Sequence, residues 1–124
     1  MGRQVTGRRN TEWGVSAEEA AVRHYRARGA LVRGRRVRTE AGEIDLILEE
    51  PNGTLVFVEV KARRRLDDAR HALSARQASR IADAAALWCA TRGLPHDTEL
   101  RVDVVVQDKW GGFDVIENAL AGLL

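Results

Sequence analysis

The sequence has a single cysteine, Cys89, which excludes an internal disulfide and a zinc site built on cysteines. No apolar run approaches the roughly 20 residues that a bilayer-spanning helix needs, so no membrane span is expected. The opening stretch MGRQVTGRRN is basic but has no apolar segment, so no secretion signal is expected and a cytoplasmic location is the natural reading. Repeats, low-complexity tracts, glycine-rich phosphate loops and serine-nucleophile motifs are missing. Lysine is scarce as well. Lys61 and Lys109 are the only two among 20 basic residues. A lysine retained where arginine is the habit makes Lys61 informative.

What is present suits one α/β domain. The 124 residues, 44% hydrophobic and 31% charged, can form one core and not two. Residues 1–12 are polar, arginine-rich and aperiodic, and read as a flexible basic arm before a single domain over 13–124. The net charge of +2 hides an asymmetry. Residues 1–38 hold ten arginines against three glutamates, whereas 39–124 hold ten basic and fifteen acidic residues. Seven of those last ten basic residues fall between Lys61 and Arg80. Two basic clusters thus flank an acidic segment at 40–59, a pattern suited to gripping a polyanion and equally to a solvated arginine-rich surface.

Periodicity gives the element order αβββαββ. Ser16 and Glu19 form a capping-box pattern that opens a helix over about 17–28, ended by Gly29. Ala21, Val22 and Tyr25 make its apolar stripe, with Glu18 on the same face and Glu19 turned outward toward Arg23. Residues 30–38 read as a weak basic strand and 43–50 (EIDLILEE) as a clear one. In the latter, Ile44, Leu46 and Leu48 share one face, and Glu43, Asp45 and Ile47 the other. Strand 54–62, a charged loop at 63–73, a helix over about 75–92 and strands at 99–108 and 113–117 complete the chain. The expected fold is a sheet with helices packed against it.

The stretch VFVEVKAR (56–63) poses the functional question, because Glu59 and Lys61 lie two apart in the most hydrophobic strand. The turn before it decides what they face. Asn52-Gly53 can form a two-residue type I′ turn, which sends Asp45 and Glu59 to opposite faces. Alternatively, Pro51-Asn52-Gly53 forms a three-residue loop that sets Glu50 against Thr54, Asp45 against Glu59 and Glu43 against Lys61. Proline has no N–H for a ladder, which favours the second reading. Two carboxylates so placed repel unless protonated or neutralised, and a hard divalent cation such as Mg²⁺ resolves the conflict. Lys61 can then hold a water or neutralise charge growing on a phosphate. The competing reading is a cross-strand salt-bridge network of Lys61 with Glu43 and Glu59.

At these residues the sequence also resembles a family. GEIDLI (42–47), VFVEVKAR (56–63) and RVDVVV (101–106) are similar to the small bacterial YraN family, assigned to the restriction-endonuclease-like PD-(D/E)xK superfamily. The resemblance spans about residues 14–120. It implies a central mixed β-sheet flanked by helices and a kinship with Holliday-junction resolvases and other metal-dependent nucleases. By the same resemblance Glu18, Asp45, Glu59 and the carbonyl of Val60 would bind Mg²⁺ or Mn²⁺, and Asp45, Glu59 and Lys61 would be catalytic. Gln77 stands where related sequences often carry lysine and supplies no charge. Glu43 has no counterpart in the superfamily motif.

The remaining candidates are peripheral. Arg63, Arg64 and Arg65 leave the strand beside the proposed site, where they can contact phosphates. Asp103 reads as a partner for Arg101. His24, His71 and His96 share no ligand spacing and read as surface residues. Trp88 belongs to a helix stripe, Cys89 is a small helix residue, and Trp110, in a glycine-containing turn, is the tryptophan to test for partner contact. The expectation is a Mg²⁺-dependent nuclease acting on nucleic acid, chiefly DNA. A homodimer is compatible with cutting two strands, and a non-catalytic nucleic-acid-binding domain of the same fold is the alternative.

Overall fold

The computed structural model describes residues 17–62 and 73–120. The basic arm at 1–12, Trp13, the Ser16 of the expected capping box, Arg63, Arg64, Arg65 and His71 lie outside the described residues. Helix α1 covers residues 17–27. Then come β1 (Leu31–Thr39), β2 (Gly42–Glu49), β3 (Leu55–Ala62), α2 (Ala75–Thr91), β4 (Leu100–Gln107) and β5 (Phe113–Ile116). The five strands form one sheet in the order β1-β2-β3-β4-β5. All neighbours are antiparallel except β3 and β4, which run parallel. A parallel pair needs a crossover, and α2 lies within it.

Local chemistry explains the start of α2 and the C-terminal ends of both helices. Ser74 caps α2 through a complete capping box with Gln77: the serine side chain accepts from the Gln77 N–H, and the glutamine side chain accepts from the Ser74 N–H. Each helix closes in the same two-bond motif. Ala30 N–H reaches the Tyr25 carbonyl (3.1 Å) and Gly29 N–H that of Arg26 (2.9 Å). Leu94 and Gly93 repeat the pattern on Cys89 and Ala90.

The sheet is covered on both faces. Against α1 lie Leu46, Leu48, Val56, Val58 and Val105, packed on Ala21, Val22 and Tyr25. Against α2 lie Ile44, Ile47, Leu55, Phe57, Val102, Val104 and Val106, packed on Ala78, Ile81, Ala84, Ala85 and Trp88. Phe57 meets Trp88 edge to face, with ring centroids 5.8 Å apart. Burial on both faces explains why Leu55-Val56-Phe57-Val58 is an unbroken apolar run rather than an alternating one.

The hairpin joining β2 and β3 has the three-residue loop. Glu50 N–H donates to the Thr54 carbonyl and Gly53 N–H to that of Glu50, both at 2.8 Å. Gly53 adopts φ 91°, in the left-handed region where a side chain would be strained. The register ends at Leu46↔Val58, which leaves Asp45 and Glu59 as the next residues on the two arms, and their side chains meet in a hydrogen bond.

The expected alternation along β2 fails at one point. Ile44 shares the α2 face with Ile47 rather than the α1 face with Leu46 and Leu48. The cause is a paired distortion. On β1, Arg36 takes φ 49°, outside strand geometry, and the β1–β2 register flanking it (Arg35↔Leu46, Val37↔Ile44) sets it across from Asp45. Both strands change phase there, so Arg36 and Asp45 are released from the ordinary in-or-out choice.

Candidate active site

The phase change builds the site. In a regular ladder continuing from Leu46↔Val58, Val60 would exchange hydrogen bonds with Ile44. Instead the Asp45 carboxylate takes the Val60 N–H, at 2.8 Å from Oδ2. Because N–H and C=O of one strand residue point to the same side, the Val60 carbonyl projects from that same opened edge. The β2–β3 ladder thus ends at Leu46↔Val58, with a carboxylate wedged into the gap beyond it.

Glu59 stands beside this wedge. Its side chain is only 16% exposed. Burial, followed by hydrogen bonding to Asp45 and the charge of Asp45, pushes its carboxyl up to about 8, while Lys61 and Arg80 pull it down. Lys61 Nζ lies 3.7 Å from Glu59 Oε2 and is itself 16% exposed. Two carboxylates and one ammonium, all poorly solvated, leave the group short of positive charge. A proton on Glu59 meets that deficit, and so would a cation.

The other sequence candidates go to different partners. Glu18, 17% exposed, is held by Arg36 through Nη2 at 2.8 Å and Nε at 3.4 Å. Glu19 pairs with Arg35 at 3.0 Å rather than with Arg23 on its own helix. Glu43 pairs with Arg38 at 3.7 Å, not with Lys61, because the phase change turns it away from the lysine. Gln77 is occupied by the α2 cap. Among the described residues no three acidic, histidine or cysteine side chains gather as a ready metal cage. The Asp45–Glu59 pair with the Val60 carbonyl edge nevertheless fits Mg²⁺ or Mn²⁺. These are hard oxygen donors, their negative charge is under-compensated, and Mg²⁺ commonly keeps several waters on one or two protein carboxylates.

Two residues at the site escaped sequence reasoning. Arg36 carries no periodic signal, and its role follows from its backbone conformation. Arg80 lies one turn beyond Gln77 on α2, and its Cγ and Cδ pass 3.2 Å from where a Cβ on Gly42 would stand. A side chain at 42 would push Arg80 aside, and φ 144° there also favours glycine. Gly42 therefore seats the arginine whose charge reaches Glu59. The adjacency of Gly42 to the acidic strand was the one available hint.

A second polar cluster lies deeper in the sheet. Asp103 is fully buried, and accepts from Tyr25 Oη (2.6 Å), Arg101 Nε (2.9 Å), Arg101 Nη2 (3.2 Å) and the Asn118 N–H (3.0 Å). Arg101 also reaches Glu50 at 2.8 Å. Burial and the bond to Asp103 hold the Tyr25 phenol well above its ordinary value. Burial alone would lower Arg101, but its two carboxylate partners outweigh that and raise it. The Asp103–Arg101 pairing is as the sequence suggested. His24, expected at the surface, is instead half-buried against Tyr25 and Phe113, with Nε2 enclosed.

A mixed five-stranded sheet with a helix on each face, and an Asp…Glu-x-Lys set where its central hairpin opens, defines a protein of the restriction-endonuclease-like class. The UPF0102 profile, described as an uncharacterised protein family, matches residues 17–107, and the chain belongs to that family, also known as YraN. A UPF0102 protein of Rhodopseudomonas palustris strain BisA53 is 44% identical over 93 residues, covering 75% of this chain and 71% of the relative. One from strain BisB18 is 47% identical, covering 75% and 68%. A third, from Bradyrhizobium diazoefficiens, is 43% identical, covering 75% and 69%. These names assign no activity. Among the described residues no helix is long and apolar enough to cross a membrane.

Proposed function

We propose that this protein is a Mg²⁺- or Mn²⁺-dependent phosphodiesterase acting on nucleic acid, with DNA as the first substrate to test. The observation that carries the reading is the opened end of the β2–β3 hairpin. Asp45 leaves the ladder to hold the Val60 N–H and so comes to lie beside Glu59. Asp45, Glu59 and the Val60 carbonyl would hold the cation, whose chemistry is to polarise a phosphoryl oxygen and lower the pKa of bound water. Lys61, fixed by Glu59, presents its ammonium to the attacking water or to charge developing on the phosphate. Arg80, seated on Gly42, adds a guanidinium that can fork onto a phosphate. Glu18 stands one ion pair away, on Arg36.

The test is incubation of the purified full chain with single-stranded, duplex and branched DNA plus Mn²⁺, beside Asp45→Asn and Lys61→Ala. Cleavage that needs the metal and drops by about 100-fold or more in each variant is expected. Metal-independent cleavage, or cleavage indifferent to both substitutions, overturns the reading.

A second reading, a nucleic-acid-binding domain without turnover, is favoured by the capture of Glu18 by Arg36. It expects salt-sensitive binding that neither metal nor Asp45→Asn alters.

A further inference from the structure

The β4–β5 turn carries the most exposed large apolar side chain among the described residues, Trp110, at 70%. Single exposed hydrophobic residues are ordinary on protein surfaces. Three observations set this one apart. First, the loop is fixed from within. Asp108 N–H donates to the Gly112 carbonyl (2.9 Å), and Asp108 Oδ1 accepts from the N–H groups of Trp110 (2.9 Å) and Gly112 (2.6 Å). The indole is therefore presented on a stiff turn closed by the Gln107↔Phe113 pair. Second, Lys109 Nζ lies 4.6 Å from the centre of the indole ring. Of the chain's two lysines, one is in the candidate site and the other stacks here.

Third, the turn lies at the site's end of the sheet. Strands β3 and β4 are parallel, with Lys61 beside Val106 and Ala62 beside Gln107. The chain therefore enters the 108–112 loop directly next to the point where β3 delivers Glu59 and Lys61. One strand spacing plus four residues of chain place the Trp110 backbone no more than about 20 Å from that of Lys61. That distance is about six nucleotides of a B-form strand at most.

We infer that Trp110, with Lys109 against it, is a stacking platform for an unpaired base of the strand whose phosphate enters the Asp45–Glu59 site, so that the favoured substrate is single-stranded or carries unpaired bases near the scissile bond. A duplex keeps its bases stacked on each other and offers none to the indole, whereas a single strand offers a π-face at every nucleotide. The ammonium adds a charge for the adjoining phosphate. This inference rests on the phosphodiesterase reading and narrows its substrate.

The experiment uses the full chain with Trp13→Phe, so that the fluorescence comes from the buried Trp88 and the exposed Trp110, and is done in EDTA to prevent turnover. A 12-nucleotide thymidine oligomer should quench the fluorescence. Trp110→Ala should weaken its binding about tenfold and that of a 12-base-pair duplex less than twofold, with Trp110→Phe retaining most of the affinity. Thermal melting should be unchanged in Trp110→Ala, since the side chain packs on little. Equal weakening for both oligomers, or none for either, overturns the inference. So does a dimer in sedimentation that Trp110→Ala splits without changing strand preference, because the indole then covers a second copy. If the unmodified protein cleaves DNA and Trp110→Ala keeps the same single-strand to duplex ratio, this inference alone fails. If the unmodified protein neither binds nor cleaves, the phosphodiesterase reading fails with it.

Discussion

Two carboxylate clusters sit on this sheet and obey opposite rules. Asp103 is the more deeply buried, yet four hydrogen-bond donors surround it, two of them the fork of one guanidinium. Glu59 is less buried, yet it faces another acid and keeps one lysine at 3.7 Å. The first arrangement is what a fold does with a charge it must carry. The second is what it tolerates when the charge serves something else. Satisfaction of partners, not burial, separates the structural acid from the one proposed to do chemistry.

Breaking the satisfied cluster should have the largest effect on stability. Arg101→Met leaves Asp103 enclosed without its cation and should cost about 3–5 kcal/mol in urea unfolding. Removing charge from the other cluster should do the reverse. Glu59 has its pKa raised from 4.5 to about 8 by folding, so the folded state favours its protonated form. Its contribution is complete below about pH 4.5 and is lost as pH rises to about 8. Without metal, stability should therefore fall across that window by an amount on the order of a few kcal/mol. Glu59→Gln should flatten the fall, and Mn²⁺ should restore melting temperature in the unsubstituted protein at pH 8 while leaving the variant unmoved. A pH profile identical in both proteins would remove the distinction between the clusters.

Smaller effects sharpen it further. Arg36→Gly places the residue that tolerates φ 49° at the kink while freeing Glu18. Relief of strain and loss of a half-exposed ion pair should nearly cancel, within about 1 kcal/mol. Calorimetric Mn²⁺ affinity should rise if the freed Glu18 joins the Asp45–Glu59 pair. The smallest change is expected at Arg28→Ala. Its pair with Glu117 is nearly half exposed on both sides and should be worth less than about 1 kcal/mol, even though Arg28 holds the Glu117 carboxyl below its usual range.

Much of this was legible in the residues themselves. Pro51 fixed the loop length by having no N–H to give, and loop length fixed which residue Asp45 meets. The glycines after both helices marked their ends, whereas the capping box of Ser74 with Gln77 was found only in the folded chain. What could not be read was the change of phase at Arg36 and Asp45, because alternation is a local rule and the distortion needs both strands. The same distortion redirected Glu43 from Lys61 to Arg38. Glu19 chose Arg35 over Arg23 because β1 lies against α1, a tertiary fact that helical spacing does not contain. Tyr25 and Asp103 are 78 positions apart, and only the folded sheet joins them.

The parallel neighbour of β3 lies far along the chain, Leu55 beside Leu100, whereas β1, β2 and β3 follow one another through short turns. Closing the longer loop costs more chain entropy, so the three-stranded meander is expected to assemble before β4 docks. The acids of the hairpin would then meet early, and the arginine–aspartate lock would arrive as the last bolt. Core truncations at Leu46 should accordingly slow refolding, while those at Val104 should mainly hasten unfolding.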